Sequence, residues 1–92
     1  MKKKLFIDFD GVLNPYDNWQ SNSDRFKPLP GTKEFLKKLG ENYEIYVFTT
    51  KDKEEVYKWL IRYFLDDYIR DVTNQKESAD LYIKDRVIKF GL

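Results

Sequence analysis

Short apolar segments alternate along this chain with segments of helical periodicity, and this alternation restricts the folds open to it more than any other feature. The apolar runs are rich in β-branched and aromatic residues, as buried strands are, and they cover residues 5–9, 43–48, 68–72 and 81–83. Apolar residues recur at helical spacing over residues 30–39 and 53–65. The order strand, helix, strand, helix, strand, strand predicts a small three-layer α/β domain around a mainly parallel sheet.

Local signals mark the ends of the two predicted helices. Gly40 follows the first helical segment, where a left-handed C-terminal cap is expected. Asp52 precedes the second segment and Glu55 follows three residues later, which is the pattern of an N-terminal capping box. The second helix is expected to bury one apolar stripe, formed by Val56, Trp59, Leu60, Tyr63 and Phe64.

Length and composition limit the number of domains and the kinds of catalytic and metal site that the chain can form. The chain has 92 residues, which predicts one domain spanning residues 1–92. It contains neither histidine nor cysteine, so catalysis by those residues, zinc sites built from them and disulfides are excluded. The formal net charge of +1 gives no argument for binding duplex nucleic acid or an anionic membrane. The apolar run that begins at Leu5 is interrupted by Asp8, so it is too short for a signal peptide or a membrane span and predicts a cytoplasmic protein.

Two acids lie at the end of the first predicted strand. Asp8 and Asp10 point to the same side of the chain because side chains alternate along a strand. Two carboxylates this close disfavour joint ionisation unless a cation, a shared proton or basic groups lie nearby. Gly11 follows directly and allows a sharp turn or a close approach of a ligand to the backbone. Because ligands of open parallel sheets bind beyond the carboxyl ends of the strands, this pair is the first candidate site.

Other polar residues are expected at the same edge of the sheet. Thr49 ends the second strand, and Asp85 follows the last one. Lys76 lies in the preceding polar loop and could bring a positive charge there. Lys51, just past the second strand, is the competing cation.

These segments together resemble the signatures of the haloacid dehalogenase-like phosphohydrolase superfamily. Asp8 opens the sequence Asp-Phe-Asp-Gly-Val-Leu, an apolar strand closes in Thr49, and Lys76 precedes an apolar strand that leads to Asp85. The match covers nearly the whole chain in the expected order. It implies the minimal Rossmann-like fold of the small capless members, with about four strands in the order 3-2-1-4.

The resemblance implies a magnesium-dependent phosphatase that hydrolyses a phosphate monoester through an aspartyl-phosphate. Asp8 would be the nucleophile and a ligand of Mg²⁺. Asp10 would act as general acid and base and would reach the cation through its backbone carbonyl. Thr49 would donate a hydrogen bond to a phosphoryl oxygen, and Lys76 would neutralise phosphoryl charge. Asp85 would complete the metal site. Substrate contacts are expected from three further residues, namely Gly11, Thr50 and Lys51.

The absence of a separate cap domain bears on the substrate. The residues between Gly11 and Pro30 are too few to form a cap. An open site fits a large phosphorylated substrate, such as a nucleic acid end or a phosphoprotein, or requires a second copy of the chain to cover it. A small phosphorylated molecule is the remaining class, and no membrane is expected to take part.

Lys84 departs from the pattern, because the small relatives commonly carry an acid at this position. Its ammonium would lie within reach of the metal site, where positive charge would weaken magnesium binding and lower turnover. The alternative function is therefore a catalytically weak module that binds phosphate or magnesium. A receiver-like domain phosphorylated on an acid is a third hypothesis, which fits the cluster of carboxylates but not the Asp-x-Asp-Gly segment.

Overall fold

The computed structural model of the chain describes residues 2–9, 12–13, 27–28, 30–84 and 87–90. Most of the connection between the first strand and the first helix lies outside these residues. In chain order the elements are β1 (Lys3–Asp8), α1 (Thr32–Leu39), β2 (Tyr43–Phe48), α2 (Lys53–Arg62), a 3₁₀ turn (Asp66–Tyr68), β3 (Asp71–Thr73), β4 (Leu81–Lys84) and β5 (Val87–Phe90).

The described strands form one sheet in the order β3-β2-β1-β4-β5. β1 pairs in parallel with both β2 and β4, and β2 pairs in parallel with β3. These four strands confirm the predicted parallel sheet of order 3-2-1-4. β5 pairs antiparallel with β4, with Lys84 opposite Val87, and adds an edge strand that the apolar pattern did not predict.

Both helices pack on one face of the sheet, which we call the helix face and which carries Leu5 and Ile7. Side chains of α1 and α2 lie in one buried cluster with these two residues. The strand order agrees, since β1 to β2 and β2 to β3 step in the same direction and right-handed crossovers then place both helices on one side. The ring of Trp59 meets that of Phe9 edge to face at a centroid distance of 4.9 Å. The buried cluster on this face includes Leu5, Ile7, Phe9, Leu36, Ile45, Val47, Val56, Trp59, Leu60 and Ile83.

The opposite face of the sheet carries aromatic rings, and we call it the aromatic face. Phe6 lies at its centre, with Tyr46 stacked on one side at 5.4 Å and Tyr82 on the other at 6.1 Å. The chain returns from β3 to β4 across this face through residues 74–80, which contain no helix. The hydroxyl of Tyr82 anchors this segment, because it accepts from Ala79 N–H at 3.0 Å and donates to the carbonyl of Glu77 at 2.8 Å. The layer on this side is therefore an extended crossover.

The helix ends differ in part from the predictions. Asp52 caps α2 as predicted, but its side chain accepts from the N–H of Glu54 at 2.8 Å, one residue earlier than in a capping box. Gly40 has φ −64°, so the predicted left-handed cap is wrong, and its N–H instead donates to the carbonyl of Leu36. Phe64 is 72% exposed and has φ 59°, because α2 ends before it reaches the predicted stripe position.

The third predicted strand begins later than expected. Tyr68 closes the 3₁₀ turn and Ile69 follows it, and both pack against the core without joining the sheet. β3 itself contains only Asp71–Thr73. In the described part of the chain, the two α-helices of 8 and 10 residues are both too short to cross a bilayer.

Candidate active site

The carboxyl ends of the parallel strands meet at one edge of the sheet. Asp8 is the last residue of β1, Thr49 and Asn74 follow β2 and β3, and Lys84 ends β4. The chain leaves β1 toward β2 on the helix face and returns to β4 across the aromatic face, so the strand order reverses between β1 and β4. Ligands of open α/β sheets bind at such a switch point. This edge is therefore the candidate active site.

Asp8 lies beside Lys76 on the aromatic face. The Nζ atom of Lys76 is 3.8 Å from Oδ1 of Asp8 and 4.8 Å from the centre of the Phe48 ring. Asp8 and Phe48 are paired in the parallel register, which places both side chains on the same face. The side chain of Asp8 is 18% exposed and that of Lys76 is 42% exposed. A phosphoryl group can therefore reach the carboxylate from solvent, and the ammonium can offset the negative charge of the phosphoryl group.

The loop after β2 is held by backbone and side-chain hydrogen bonds. Thr49 is almost fully buried, and its Oγ1 accepts from the N–H of Lys51 at 3.0 Å. The N–H of Thr49 donates to the carbonyl of Thr73 at 3.0 Å, which continues the β2–β3 ladder past the end of β2. The amide nitrogen of Asn74 donates to the carbonyls of Thr49 at 2.7 Å and Lys51 at 2.9 Å. Residues 49–51, which we call the threonine loop, are thereby attached to the end of β3.

The predicted substrate contacts fall on this loop in part. Thr50 is exposed and Lys51 is half-buried. The backbone of Lys51 takes part in the loop through both its N–H and its carbonyl. Two lysines are candidates for the positive charge beside Asp8. The ammonium of Lys76 lies next to Asp8, whereas Lys51 contributes backbone hydrogen bonds to the loop.

Lys84 lies on the same face of the sheet as Asp8. Ile7 is paired with Ile83 in the parallel register of β1 and β4, so Asp8 and Lys84 follow at the same level. Because side chains alternate along a strand, Asp8 and Lys84 both lie on the same face as Phe6, which is the aromatic face. Lys84 is exposed at the end of β4. Its positive charge is therefore carried by the strand next to the predicted nucleophile.

Three predicted site residues, Asp10, Gly11 and Asp85, lie outside the described residues. Among the residues that the structure does describe, no three acidic side chains gather into a group that could hold a metal ion. The described contribution to the predicted magnesium site is the carboxylate of Asp8. A carboxylate oxygen at a sheet edge is the kind of ligand that Mg²⁺ prefers, and the Asp8 side chain is partly open to solvent, so this part of the site fits the cation.

Asn74 is a candidate site residue that the sequence patterns do not indicate. It directly follows a strand at the carboxyl edge, as Thr49 does, and this position was the available signal. The apolar pattern, however, predicts a strand that ends at Val72 and a polar loop after it.

A comparison with protein-family sequence models gives one finding that agrees with this geometry. The model of the NLI interacting factor-like phosphatase family matches residues 3–88, which is nearly the whole chain. No curated protein and no solved structure matches the chain. The matched segment contains the carboxyl ends of all four parallel strands described above. The chain therefore belongs to the NLI interacting factor-like phosphatases, a family of the haloacid dehalogenase-like superfamily.

Proposed function

We propose that this protein is a magnesium-dependent phosphatase that hydrolyses phosphate monoesters through an aspartyl-phosphate on Asp8. The observation that carries the proposal is the ammonium of Lys76, 3.8 Å from the Asp8 carboxylate at the switch point of the sheet. Family membership supports phosphatase activity in general. The chemistry available to a chain without histidine and cysteine also favours a carboxylate nucleophile.

The proposed reaction has two displacements at phosphorus. In the first, a carboxylate oxygen of Asp8 attacks phosphorus, the bond to the ester oxygen breaks, and Asp10 gives its proton to the leaving oxygen. In the second, Asp10 takes a proton from water, the water oxygen attacks phosphorus, and the bond to Asp8 breaks with release of inorganic phosphate. Lys76 and the hydroxyl of Thr49 hold the negatively charged phosphoryl oxygens during both steps.

We assign the cation to three ligands, which are the carboxylates of Asp8 and Asp85 and the backbone carbonyl of Asp10. All are oxygen donors, as Mg²⁺ requires. When bound, the cation supplies positive charge that offsets the charge of the phosphoryl group.

Residues 30–84 contain no cap domain over the sheet edge. This favours large substrates, which can themselves cover an open site. We propose a phosphoprotein or a nucleic acid end as the substrate, or a second copy of the chain as the cover over a smaller one. A panel of phosphorylated peptides, oligonucleotides and small phosphate esters separates these classes by their relative kcat/KM.

The position of Lys84 favours a second candidate, a module that binds phosphate or magnesium with little turnover. Lys84 and Lys76 are two basic residues of the aromatic face at the carboxyl edge, where Lys76 is paired with Asp8 and Lys84 ends the neighbouring strand. Excess positive charge at this edge disfavours a divalent cation but not an anion.

Phosphate release from a generic aryl phosphate, with and without Mg²⁺, tests the proposal. We expect magnesium-dependent release that is lost in Asp8→Asn. The matched control is Asp67→Asn, which removes a carboxylate from the exposed 3₁₀ turn and should leave release unchanged. Release that survives in Asp8→Asn contradicts the proposed nucleophile. Phosphate binding by the native protein without any release from the full substrate panel favours the module.

A further inference from the structure

We propose that Asn74 is a positioning residue that holds the threonine loop in the conformation that binds the phosphoryl group. This inference rests on the proposed function, because it concerns the same site. Its basis is the amide of Asn74, whose nitrogen donates to the carbonyl of Thr49 at 2.7 Å and to the carbonyl of Lys51 at 2.9 Å.

The two hydrogen bonds use both donors of the side-chain amide. An asparagine amide carries two N–H groups, and here each meets a carbonyl of the same short loop. Two fixed carbonyls two residues apart determine how the intervening chain curves. Because a trans peptide places its N–H opposite its carbonyl, the bond to Thr49 also turns the N–H of Thr50 away from Asn74.

The loop conformation in turn controls the hydroxyl of Thr49. Oγ1 of Thr49 accepts from the N–H of Lys51, which fixes the side-chain rotamer. A hydroxyl that accepts one hydrogen bond can still donate its own hydrogen to a phosphoryl oxygen. The N–H of Lys51 belongs to the Thr50–Lys51 peptide, and Asn74 holds the carbonyls of the two peptides on either side of it. Loss of Asn74 would therefore free the peptide that orients this hydroxyl.

Asn74 acts through the loop, and its exposed location makes this role separable from folding. It lies at the sheet edge and is exposed, so its loss should leave the core intact. Asn42 provides a matched control, because it is an exposed asparagine in the turn between α1 and β2, at the opposite edge of the sheet.

The test compares Asn74→Ala, Asn74→Asp and Asn42→Ala in the full chain. The readouts are kcat and KM for an aryl phosphate, the affinity for inorganic phosphate, and Tm. We expect Asn74→Ala to raise KM and weaken phosphate binding by about tenfold, with a smaller effect on kcat, since a lost ground-state contact raises KM. Asn74→Asp keeps the shape but cannot donate when ionised, and should behave similarly. Asn42→Ala, which removes the same type of side chain far from the site, should resemble the native protein.

The outcomes distinguish the inference from the proposed function. A fall in kcat at unchanged KM and phosphate affinity, accompanied by a lower Tm, would mean that Asn74 is merely structural and would overturn the inference. Native protein that binds phosphate but hydrolyses no substrate removes the phosphatase proposal, and weaker phosphate binding in both Asn74 variants would still support the inference. Native protein that neither binds phosphate nor hydrolyses any substrate overturns both the phosphatase proposal and the role of Asn74.

Discussion

Replacement of Lys76 by methionine distinguishes two roles for this residue. The ammonium either forms a purely structural ion pair with Asp8 or neutralises the charge of the phosphoryl group during the reaction. Methionine retains an unbranched side chain that can still lie over the Phe48 ring, and it removes the ammonium. We expect Lys76→Met to reduce phosphatase activity far more than it reduces stability.

The stability effect follows from the contacts of the ammonium. Its distance of 3.8 Å to Asp8 and its 42% exposed side chain indicate a screened pair, and such pairs contribute about 0.2–1 kcal/mol. The contact with the Phe48 ring at 4.8 Å contributes about 0.5–1 kcal/mol at a site this exposed. The free energy of unfolding should therefore fall by at most about 2 kcal/mol.

The activity effect follows from the charge that the ammonium faces during the reaction. Removal of one preorganised group that stabilises the transition state costs about 10²–10³ in rate. Urea denaturation, followed by tryptophan fluorescence, and kcat/KM for an aryl phosphate measure the two effects on the same protein. Lys51→Met is the matched control, with the same charge change in the threonine loop, and should lose less activity.

Two results would refute this reasoning. Unchanged kcat/KM in Lys76→Met, with only the stability loss, would make the pair with Asp8 purely structural. A larger loss in Lys51→Met than in Lys76→Met would transfer the charge-neutralising role to the threonine loop.

Two further predictions concern residues that conflict with local rules. Lys84→Asp should raise magnesium-dependent kcat/KM by about tenfold, because it replaces an ammonium beside the site with a carboxylate. A magnesium titration of activity checks this, and equal or lower activity in the variant contradicts it. Phe64→Gly should raise the free energy of unfolding by about 0.5–1 kcal/mol, since relief of a left-handed φ of 59° outweighs the greater entropy of glycine in the unfolded chain. Urea denaturation tests this, with Tyr63→Gly, at φ −103°, as the control that should be destabilised.

The sheet could be predicted because its strands are buried. Leu5, Ile7, Ile45 and Val47 alternate toward the helix face, and this pattern leaves little choice of structure. The ends of elements were less predictable. An apolar run does not distinguish a strand from irregular chain packed on the core, and it therefore predicts a strand at Ile69, which packs on the core outside the sheet.

The candidate site divides in the same way. Asp8 and Thr49 could be placed at one edge because the end of a strand is a local property of the sequence. Asn74 could not, because its partners Thr49 and Lys51 are 25 and 23 residues away in the chain. Only the pairing of β2 with β3 brings these residues together.

The crossover after β3 links the fold to the proposed chemistry. A helix in this position would cover the aromatic face, but residues 74–80 cross it in extended form, tied to Lys4 through Asp80 and to Tyr82 through Glu77. Because the segment is short and fastened at its far end, its first residues stay at the carboxyl edge. Asn74 there holds the threonine loop, and Lys76 meets Asp8. The segment 74–80 thus connects β3 to β4 in the sheet and also supplies two side chains, Asn74 and Lys76, to the candidate site.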